Sequence, residues 1–201
     1  MPQVLDLNHP SLILASSSPF RRELLSRIGI EFSSVSPDID ECQLPGESAE
    51  ELVLRLAKQK AMAIGQSHPN ALIIGSDQVA TISDRILGKP GNHECAVEQL
   101  MQVSGKRVTF FTGLSLYNSK THHSQSCCEP FHVVFRNLQR SEVENYLHKE
   151  QPYNCAGSFK SEGLGICLFE RLEGDDPNAL IGLPLIRLIG MLRCEGVDVL
   201  A

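Results

Sequence analysis

Two adjacent arginines stand where the sequence predicts the start of a helix. Arg21 and Arg22 follow Ser18 and Pro19 after a short apolar run, and serine is a favoured N-cap while proline is a favoured first helical residue. Cations are disfavoured at this end of the helix dipole, and a bound anion would relieve that conflict. Free N–H groups, hydroxyls and guanidinium groups together would hold a phosphate. On this segment alone, arginines that face solvent or pair with Glu23 are slightly favoured.

A lysine falls among the apolar residues of the helix predicted to begin after Ser48. Lys60 comes four residues after Leu56 and four before Ile64, so it shares their face of the helix. A lysine on a core-facing stripe needs either an anionic partner or room to extend its amino group to solvent. Extension to solvent is the commoner explanation in general, and the sequence leaves both open.

An aspartate follows an apolar strand. Asp77 comes directly after Leu72-Ile-Ile-Gly-Ser76, a run typical of a buried strand. An ionised carboxylate there needs a metal, a cation or a role as a base. The alternative is a turn or N-cap aspartate, which the surrounding β-branched residues disfavour. The acidic loop at residues 38–41 could add a second carboxylate for a hard cation such as Mg²⁺.

Two later segments carry lysines in turn-like sequence. Lys89 lies between a glycine and a proline, although most such lysines are simply solvated. At residues 158–163, within the glycine-rich stretch 153–183, Phe159 could stack on a ring and Lys160 could meet a phosphate. In the same segment, Glu162 could accept from ring N–H groups or hold a cation. Each of these patterns has low specificity by itself.

Strand and helix signals alternate along the chain, which predicts an α/β fold with a mixed central sheet flanked by helices, in two lobes around a cleft. The predicted strands cover residues 12–15, 31–35, 72–80, the hairpin 106–117 and 124–135, and 165–169. The predicted helices cover residues 19–29, 92–103, 141–149 and 184–193, and a further helix begins after Ser48. Two of them carry capping pairs, Ser48 with Glu51 and Ser141 with Glu144. Residues 85–90 and Asp176 are predicted in turns. We expect an N-terminal extension over residues 1–10 and a single domain over 11–201.

The composition limits the classes of function. The 201 residues carry a formal net charge of −6, whereas proteins that bind polymeric nucleic acid are usually basic. No apolar run approaches the roughly 20 residues that a membrane-spanning helix needs. The N-terminal sequence lacks the basic start and apolar core of a signal peptide, so a cytoplasmic protein is expected. The seven cysteines form no CxxC pair, and we expect reduced, structural thiols.

Six motifs, taken together and in order, resemble one family. They are Ser16-x-Ser18-Pro-x-Arg21-Arg22 after the apolar strand, the acidic loop ending at Glu41, Lys60-Ala61, Gly75-Ser-Asp77-Gln78, Gly88-Lys89-Pro90 and Ser158-Phe-Lys160-Ser-Glu162-Gly163. From Leu12 to Gly196 the sequence resembles the Maf family of nucleotide pyrophosphatases. Its 7-methyl-GTP pyrophosphatase subfamily is resembled most closely, through Phe20, Gln78 and the segment 155–165.

The resemblance implies a fold shared with inosine-triphosphate pyrophosphatase-like enzymes. It also implies hydrolysis of a nucleoside triphosphate to the monophosphate and pyrophosphate with a divalent metal, Mg²⁺ or Mn²⁺. Asp77 would be the catalytic base or water-orienting carboxylate, with Glu41 and Asp77 at the metal. Selection of the base would fall to Phe20, Gln78 and Glu162. The implied phosphate-binding set is Ser16, Ser18, Arg21, Arg22, Lys60, Lys89 and Lys160.

The implied chemistry agrees with the charges in these motifs. A triphosphate carries about four negative charges, which several converging cations would offset. The leading hypothesis is a house-cleaning enzyme for 7-methyl-GTP, a small-molecule nucleotide whose cationic ring suits an aromatic face at Phe20. Two alternatives stay open: a pyrophosphatase for another standard or modified nucleotide, and a non-catalytic, nucleotide-binding regulator of cell division. The resemblance also leaves open whether the protein forms a homodimer.

Overall fold

The computed structural model describes residues 10–83 and 85–201. Within them, seven strands form one mixed sheet: β1 (Ser11–Ala15), β2 (Ser33–Val35), β3 (Ala71–Ile82), β4 (Arg85–Leu87), β5 (Arg107–Asn118), β6 (His123–Phe135) and β7 (Phe169–Glu173). The strand order is β2-β1-β3-β5-β6-β7, and β4 pairs with β3. Strands β2, β1 and β3 run parallel, whereas the remaining pairs are antiparallel.

The helices of the described residues flank this sheet. They are α1 (Pro19–Ser26), α2 (Ala49–Gly65), α3 (His93–Val103), α4 (Arg140–Glu150), α5 (Pro177–Ile181) and α6 (Leu185–Cys194), with two 3₁₀ turns at Ala156–Ser158 and Leu164–Leu168. Over the part of the chain described, no helix combines the length and the apolar character that crossing a bilayer requires.

Helix α2 packs directly against β3 and β5 because two glycines leave room for its backbone. A Cβ atom at Gly75 would collide with the carbonyl oxygen of Ala57, and one at Gly113 with that of Val53. The buried face of α2 is the stripe predicted from the sequence, and it includes Lys60. The close approach therefore brings the Lys60 side chain within reach of β3.

Strand β3 has a short open edge in its middle. On one side it pairs with β1 as far as Gly75 and with β4 from Ala80 onward, whereas β5 accompanies its other side throughout. In the described chain, residues 76–79 therefore lack a strand partner on that one side. Neighbouring side chains of a strand point to opposite faces, so an open edge lets Asp77 and Gln78 border the same space.

The buried apolar residues divide into clusters on the two sides of this open edge. One cluster joins β1 and α1 to α6 through residues such as Leu14, Leu25 and Leu188. Another joins α3 and α4 to the β5–β6 hairpin through residues such as Leu100 and Phe135. The mixed α/β fold with two lobes around a cleft, which the sequence predicted, is confirmed.

Two predicted helix boundaries are wrong for local reasons. Helix α1 ends at Ser26, after which the chain continues to Gly29 in turns whose N–H groups bond three residues back. Helix α4 begins at Arg140 rather than Ser141. The N–H of Gln139 donates to Glu142 there (2.8 Å), while Glu144, the expected capping residue, contacts His93 instead.

Three further predictions need correction. The segment predicted as a strand over 165–169 is mostly a 3₁₀ turn, and β7 begins at Phe169. The predicted turn at 85–90 contains β4, and Asp176 caps α5, a helix that the sequence did not predict. The expected N-terminal extension lies outside the described residues except for Pro10, and the single domain over 11–201 stays a prediction.

Candidate active site

A cavity of about 790 Å³ opens at the free edge of β3. It lies beyond the carboxyl ends of the parallel strands β1 and β2, which is where ligands bind in open α/β sheets. All the site residues predicted from the sequence line it except Arg22. Those that line it are Ser16, Ser18, Phe20, Arg21, Glu41, Lys60, Asp77, Gln78, Lys89, Lys160 and Glu162.

The N-terminus of α1 borders the cavity with the predicted capping geometry. Ser18 is the N-cap, its hydroxyl accepts from the N–H of Arg21 (3.4 Å), and its own N–H donates to the Ser16 hydroxyl (3.1 Å). Arg22 is exposed and lies outside the cavity lining. Its assignment to phosphate therefore stays a prediction that this structure does not support.

Arg21 turns from α1 toward the chain that follows α5. Its Nε donates to the carbonyl oxygen of Gly182 (2.7 Å). Burial lowers the pKa of the Arg21 guanidinium, whereas the negative charges of Asp77 and Glu41 act in the opposite direction. The positive charge of Arg21 is therefore held inside the cavity, close to carboxylates, and does not point to solvent.

Lys60 bridges two carboxylates. Its Nζ lies 2.7 Å from Oδ1 of Asp77 and 2.8 Å from Oε1 of Glu41. Lys60 is 6% exposed and Asp77 8% exposed, whereas Glu41 is largely exposed. Of the two explanations that the sequence left open for Lys60, the structure favours an anionic partner. Asp77 lies within β3, which excludes the turn or N-cap alternative.

The oxygen atoms of this cluster fit a hard divalent cation. Among the described residues, Oδ2 of Asp77 and Oε2 of Glu41 have no hydrogen-bond partner. Carboxylate oxygens are the ligands that Mg²⁺ and Mn²⁺ prefer, and the phosphate oxygens of a nucleotide would complete such a coordination shell. The donor chemistry therefore agrees with the predicted metal residues.

The Gln78 side chain is fixed by the turn that ends α5. Its Nε2 donates to the carbonyl oxygens of Ala179 (2.7 Å) and Leu180 (3.1 Å) and lies 3.0 Å from the Thr112 hydroxyl. Because the carbonyl groups only accept, the amide nitrogen must face them. The Oε1 atom is thereby left as an acceptor on a residue that lines the cavity.

The opposite wall of the cavity is built on loops that carry Lys89, Lys160 and Glu162, and we call it the loop wall. Lys89 follows β4 and is exposed. Lys160 is half-buried, and its Nζ lies 3.2 Å from both the carboxylate and the backbone carbonyl of Glu150. Glu162 is exposed and accepts from the neighbouring Ser161 hydroxyl (3.2 Å). These side chains line the cavity but are not paired with Lys60 or Asp77.

Phe159 lines the cavity, but most of its ring lies in the core. Its ring is 5% exposed and packs edge-on against Phe110, Phe135 and Phe169, with ring centroids 4.8–5.6 Å apart. The ring fills the aromatic core of its lobe and anchors the loop that carries Lys160. Phe20 is half-buried on the cavity lining, and stacking of a ligand ring on either residue stays a prediction.

A thiol in the cavity wall is not set up as a nucleophile. Cys155 lines the cavity, and burial raises the pKa of its thiol. A protonated thiol is a poor nucleophile. All seven cysteines are free, in agreement with the expectation of reduced thiols.

A histidine cluster outside the cavity supports the loop wall. Nε2 of His93 lies 2.6 Å from Glu144, and Nδ1 lies 3.0 Å from the Tyr153 hydroxyl. The ring of His148 stacks on that of His93 at 4.9 Å. The Tyr153 carbonyl accepts from the N–H of Gly91 (3.0 Å), directly after the turn that carries Lys89. These long-range contacts could not be predicted from the sequence.

Residues 176–182 contribute to the site in a way that the motifs did not predict. Asp176 is 1% exposed; its carboxylate caps α5 at Asn178 (2.9 Å) and accepts from the N–H of Ile186 (2.7 Å). An aspartate followed by a proline, with Gly182 after a short apolar run, is the signal that could have predicted this helix.

Comparisons with known proteins agree with this site. Residues 11–195 match a family model described as Maf-like protein. Three similar relatives are named 7-methyl-GTP pyrophosphatase: those of Pseudomonas fluorescens strain Pf0-1 (61% identity, 94% of this chain and 98% of the relative), Alcanivorax borkumensis (58%, 94% and 96%) and Colwellia psychrerythraea (55%, 95% and 96%).

A solved structure supports the fold independently of these relatives. The Ham1 protein of Staphylococcus aureus aligns with a TM-score of 0.50 over 92% of this chain and 99% of its own, at 16% identity. That likeness concerns the fold alone. The family model and the relatives together cover nearly all of the chain, and the family resemblance predicted from the motifs is confirmed. The chain belongs to the Maf family.

Proposed function

We propose that this protein is a nucleoside triphosphate pyrophosphatase that converts 7-methyl-GTP to 7-methyl-GMP and pyrophosphate, in a house-cleaning role. The observation that carries the proposal is the buried Lys60 amino group held between Asp77 and Glu41, beside the N-terminus of α1. Relatives that share 55–61% of their residues with this chain and bear the name of this activity support the choice of substrate.

The triphosphate would lie between α1 and the loop wall. Arg21 and Lys60 supply positive charge from the sheet side of the cavity, and Lys89 and Lys160 supply it from the loops. The N–H groups at the start of α1 add the positive end of the helix dipole, next to the Ser18 hydroxyl. Charges that converge in this way offset the phosphates and hold the scissile anhydride in place.

Asp77 would orient and deprotonate the attacking water. The water oxygen forms a bond to phosphorus at the α–β anhydride, the bridging P–O bond breaks, and pyrophosphate leaves with the electron pair. The proton of the water passes to the Asp77 carboxylate, while Lys60 contacts Oδ1 (2.7 Å) and fixes the carboxylate. No covalent intermediate is needed, which agrees with the raised pKa of the Cys155 thiol.

Asp77 and Glu41 would also hold a divalent cation, Mg²⁺ or Mn²⁺. Such an ion supplies charge neutralisation at the phosphates and a bound water of lowered pKa. The carboxylate oxygens that Lys60 does not contact are the donors available to it. Lys60 keeps the two carboxylates close together, although both are negatively charged.

The base would be selected by Phe20, Gln78 and Glu162. The methylated guanine ring is cationic, so it gains from the aromatic face of Phe20 and from the negative charge of Glu162. Gln78 keeps Oε1 as an acceptor, because its Nε2 is engaged by carbonyl oxygens. An acceptor at this position suits the N–H donors of a guanine edge.

The proposal includes the setting of the reaction. The substrate is a free nucleotide, and we place the enzyme in the cytoplasm. The homodimer left open by the resemblance stays a prediction.

A panel of nucleotides tests the proposal. Purified protein with Mg²⁺ or Mn²⁺ should release pyrophosphate from 7-methyl-GTP with a higher kcat/KM than from GTP, ATP, UTP and CTP. A chelator should abolish turnover, and added metal should restore it. A higher kcat/KM for another nucleotide would overturn the substrate while keeping the reaction. Tight nucleotide binding without turnover would favour a regulator instead.

A further inference from the structure

The C-terminal turn of α5 presents backbone carbonyl groups to both functional parts of the cavity. The oxygens of Ala179 and Leu180 accept from Gln78 on the base-selecting side (2.7 and 3.1 Å). The oxygen of Gly182 accepts from Arg21 on the phosphate side (2.7 Å). It also accepts from the hydroxyl of Ser76 (2.9 Å), the residue directly before Asp77.

Thr112 joins this turn to the sheet. Thr112 is fully buried on β5, and its hydroxyl donates to the carbonyl oxygen of Ala179 (2.8 Å). A hydroxyl has one proton to donate, so Thr112 must act as an acceptor toward Nε2 of Gln78 (3.0 Å). Every polar atom around Nε2 is thus an acceptor, which dictates the orientation of the Gln78 amide.

Backbone conformation fixes the other end of the turn. Gly182 has a φ of +119°, a conformation that L side chains rarely adopt. A Cβ atom at this position would lie 3.3 Å from Nε of Arg21. Glycine therefore permits both the left-handed turn and the approach of the guanidinium group to the carbonyl oxygen.

We propose that the turn Ala179–Gly182 is a positioning element that aligns the base-reading side chain with the phosphate-binding side chain, and that Thr112 is its positioning residue on the sheet. This inference rests on the proposed function, because it assigns Gln78 to the base and Arg21 to the phosphates. Thr112 acts through Gln78: without the hydroxyl, Nε2 loses one of its three acceptors, and the Ala179 carbonyl loses the donor that ties the turn to β5.

The substitution Thr112→Val tests the inference, because it keeps the shape of the side chain and removes the hydroxyl. Calorimetric titration of the full-length variant with 7-methyl-GMP should show an affinity about tenfold lower than that of the wild type. Titration with pyrophosphate should give an unchanged affinity. Thr112→Ser keeps the hydroxyl and should restore binding of 7-methyl-GMP to within about twofold.

Two further variants separate positioning from general damage. Thr81→Val removes another buried hydroxyl of the sheet, which bonds the Thr109 carbonyl (3.3 Å) outside the cavity lining, and it should leave both affinities unchanged. Gly182→Ala should weaken binding of pyrophosphate more than binding of 7-methyl-GMP.

The inference is overturned if Thr112→Val binds 7-methyl-GMP as tightly as the wild type. It is also overturned if the affinities for 7-methyl-GMP and for pyrophosphate fall by the same factor while the melting temperature matches that of Thr81→Val. Failure of the proposed function is a separate result, because it would appear as absent turnover in the wild type whatever the binding of the two products.

Discussion

The two walls of the cavity are built differently. The sheet wall consists of Arg21, Lys60, Asp77 and Gln78. Lys60 and Asp77 bind each other at 2.7 Å. Arg21 donates to the carbonyl oxygen of Gly182 and Gln78 to that of Ala179, each also at 2.7 Å. The loop wall consists of Lys89, Lys160 and Glu162. Its side chains are exposed or half-buried. Lys160 contacts Glu150 at the end of α4, and Glu162 contacts the neighbouring Ser161.

The difference indicates a division of labour. Charges of the sheet wall are held in fixed positions at the edge of the core, where little reorganisation is needed when a substrate arrives. Charges of the loop wall are exposed at Lys89 and Glu162 and half-buried at Lys160, so we expect each to contribute less to binding and to move with the ligand. We therefore expect changes in the sheet wall to affect kcat, and changes in the loop wall to affect KM.

The largest effect is expected for Asp77→Asn. The amide keeps the shape of the side chain but cannot accept a proton, so kcat should fall roughly 100- to 10,000-fold, with the fold retained by circular dichroism. Asp175→Asn changes an exposed aspartate outside the cavity lining and serves as the control. A kcat within about twofold of the wild type for Asp77→Asn would remove this residue from the mechanism.

Lys60→Met should reduce both activity and stability. The change leaves Asp77 and Glu41 close together without a cation between them, and we expect a loss of about 2 kcal/mol in the free energy of unfolding by urea, less than for a fully enclosed pair. The control is Lys58→Met, at an exposed position on the same helix.

A double substitution sharpens this prediction. Adding Asp77→Asn to Lys60→Met removes the uncompensated negative charge, so it should recover part of the lost stability while the enzyme stays inactive. A double variant whose stability equals the sum of the two single losses would contradict electrostatic pairing as the reason that Lys60 is buried.

Substitutions in the loop wall should be milder. Lys89→Ala and Lys160→Ala should each raise KM about fivefold, because each removes one positive charge of the loop wall from the phosphates, and kcat should change little. The free energy of unfolding should stay within about 0.5 kcal/mol of the wild type. Lys149→Ala, on the exposed side of α4, is the matched control. A large loss in kcat with unchanged KM would place these lysines with the sheet wall instead.

The smallest effect concerns the support of the loop that carries Glu41. Arg55 on α2 binds Glu47 at 2.6 Å and the Cys42 carbonyl at 3.0 Å. The hydrogen bonds from Arg55 lower the pKa of Glu47 from its ordinary value near 4.5 to about 2. The folded state therefore favours the ionised form, and this stabilisation is present above pH 4.5 and lost as the pH falls through about 2.

Glu47→Gln should accordingly lower the stability slightly at pH 7, and its urea midpoint should approach that of the wild type as the pH falls from 4.5 toward 2. A difference in midpoint that stays constant over this pH range would show that the ion pair with Arg55 is not its source.

The sheet wall was easier to predict from the sequence than the elements around it. Lys60 on an apolar stripe and Asp77 in an apolar strand are local conflicts, and burial of a charge is costly enough for such conflicts to indicate a site. The pairing partner of Lys60 was not predictable, because the distance between α2 and β3 depends on the glycines that meet the α2 backbone.

The contribution of α5 could not be predicted from the motifs alone. Its functional atoms are backbone carbonyl oxygens, which every residue possesses, and its contacts join positions about a hundred residues apart in the chain. The packing of Phe159 could not be predicted either, because the rings around it come from β5, β6 and β7.

Identification of the reaction products tests the central claim most directly. The wild-type protein would be incubated with 7-methyl-GTP and Mg²⁺, and the phosphorus-containing products followed by ³¹P NMR beside a parallel sample of Asp77→Asn. The proposed mechanism requires equal amounts of 7-methyl-GMP and pyrophosphate from the wild type, with little product from the variant. Release of orthophosphate with 7-methyl-GDP, or equal product formation by both proteins, would contradict it.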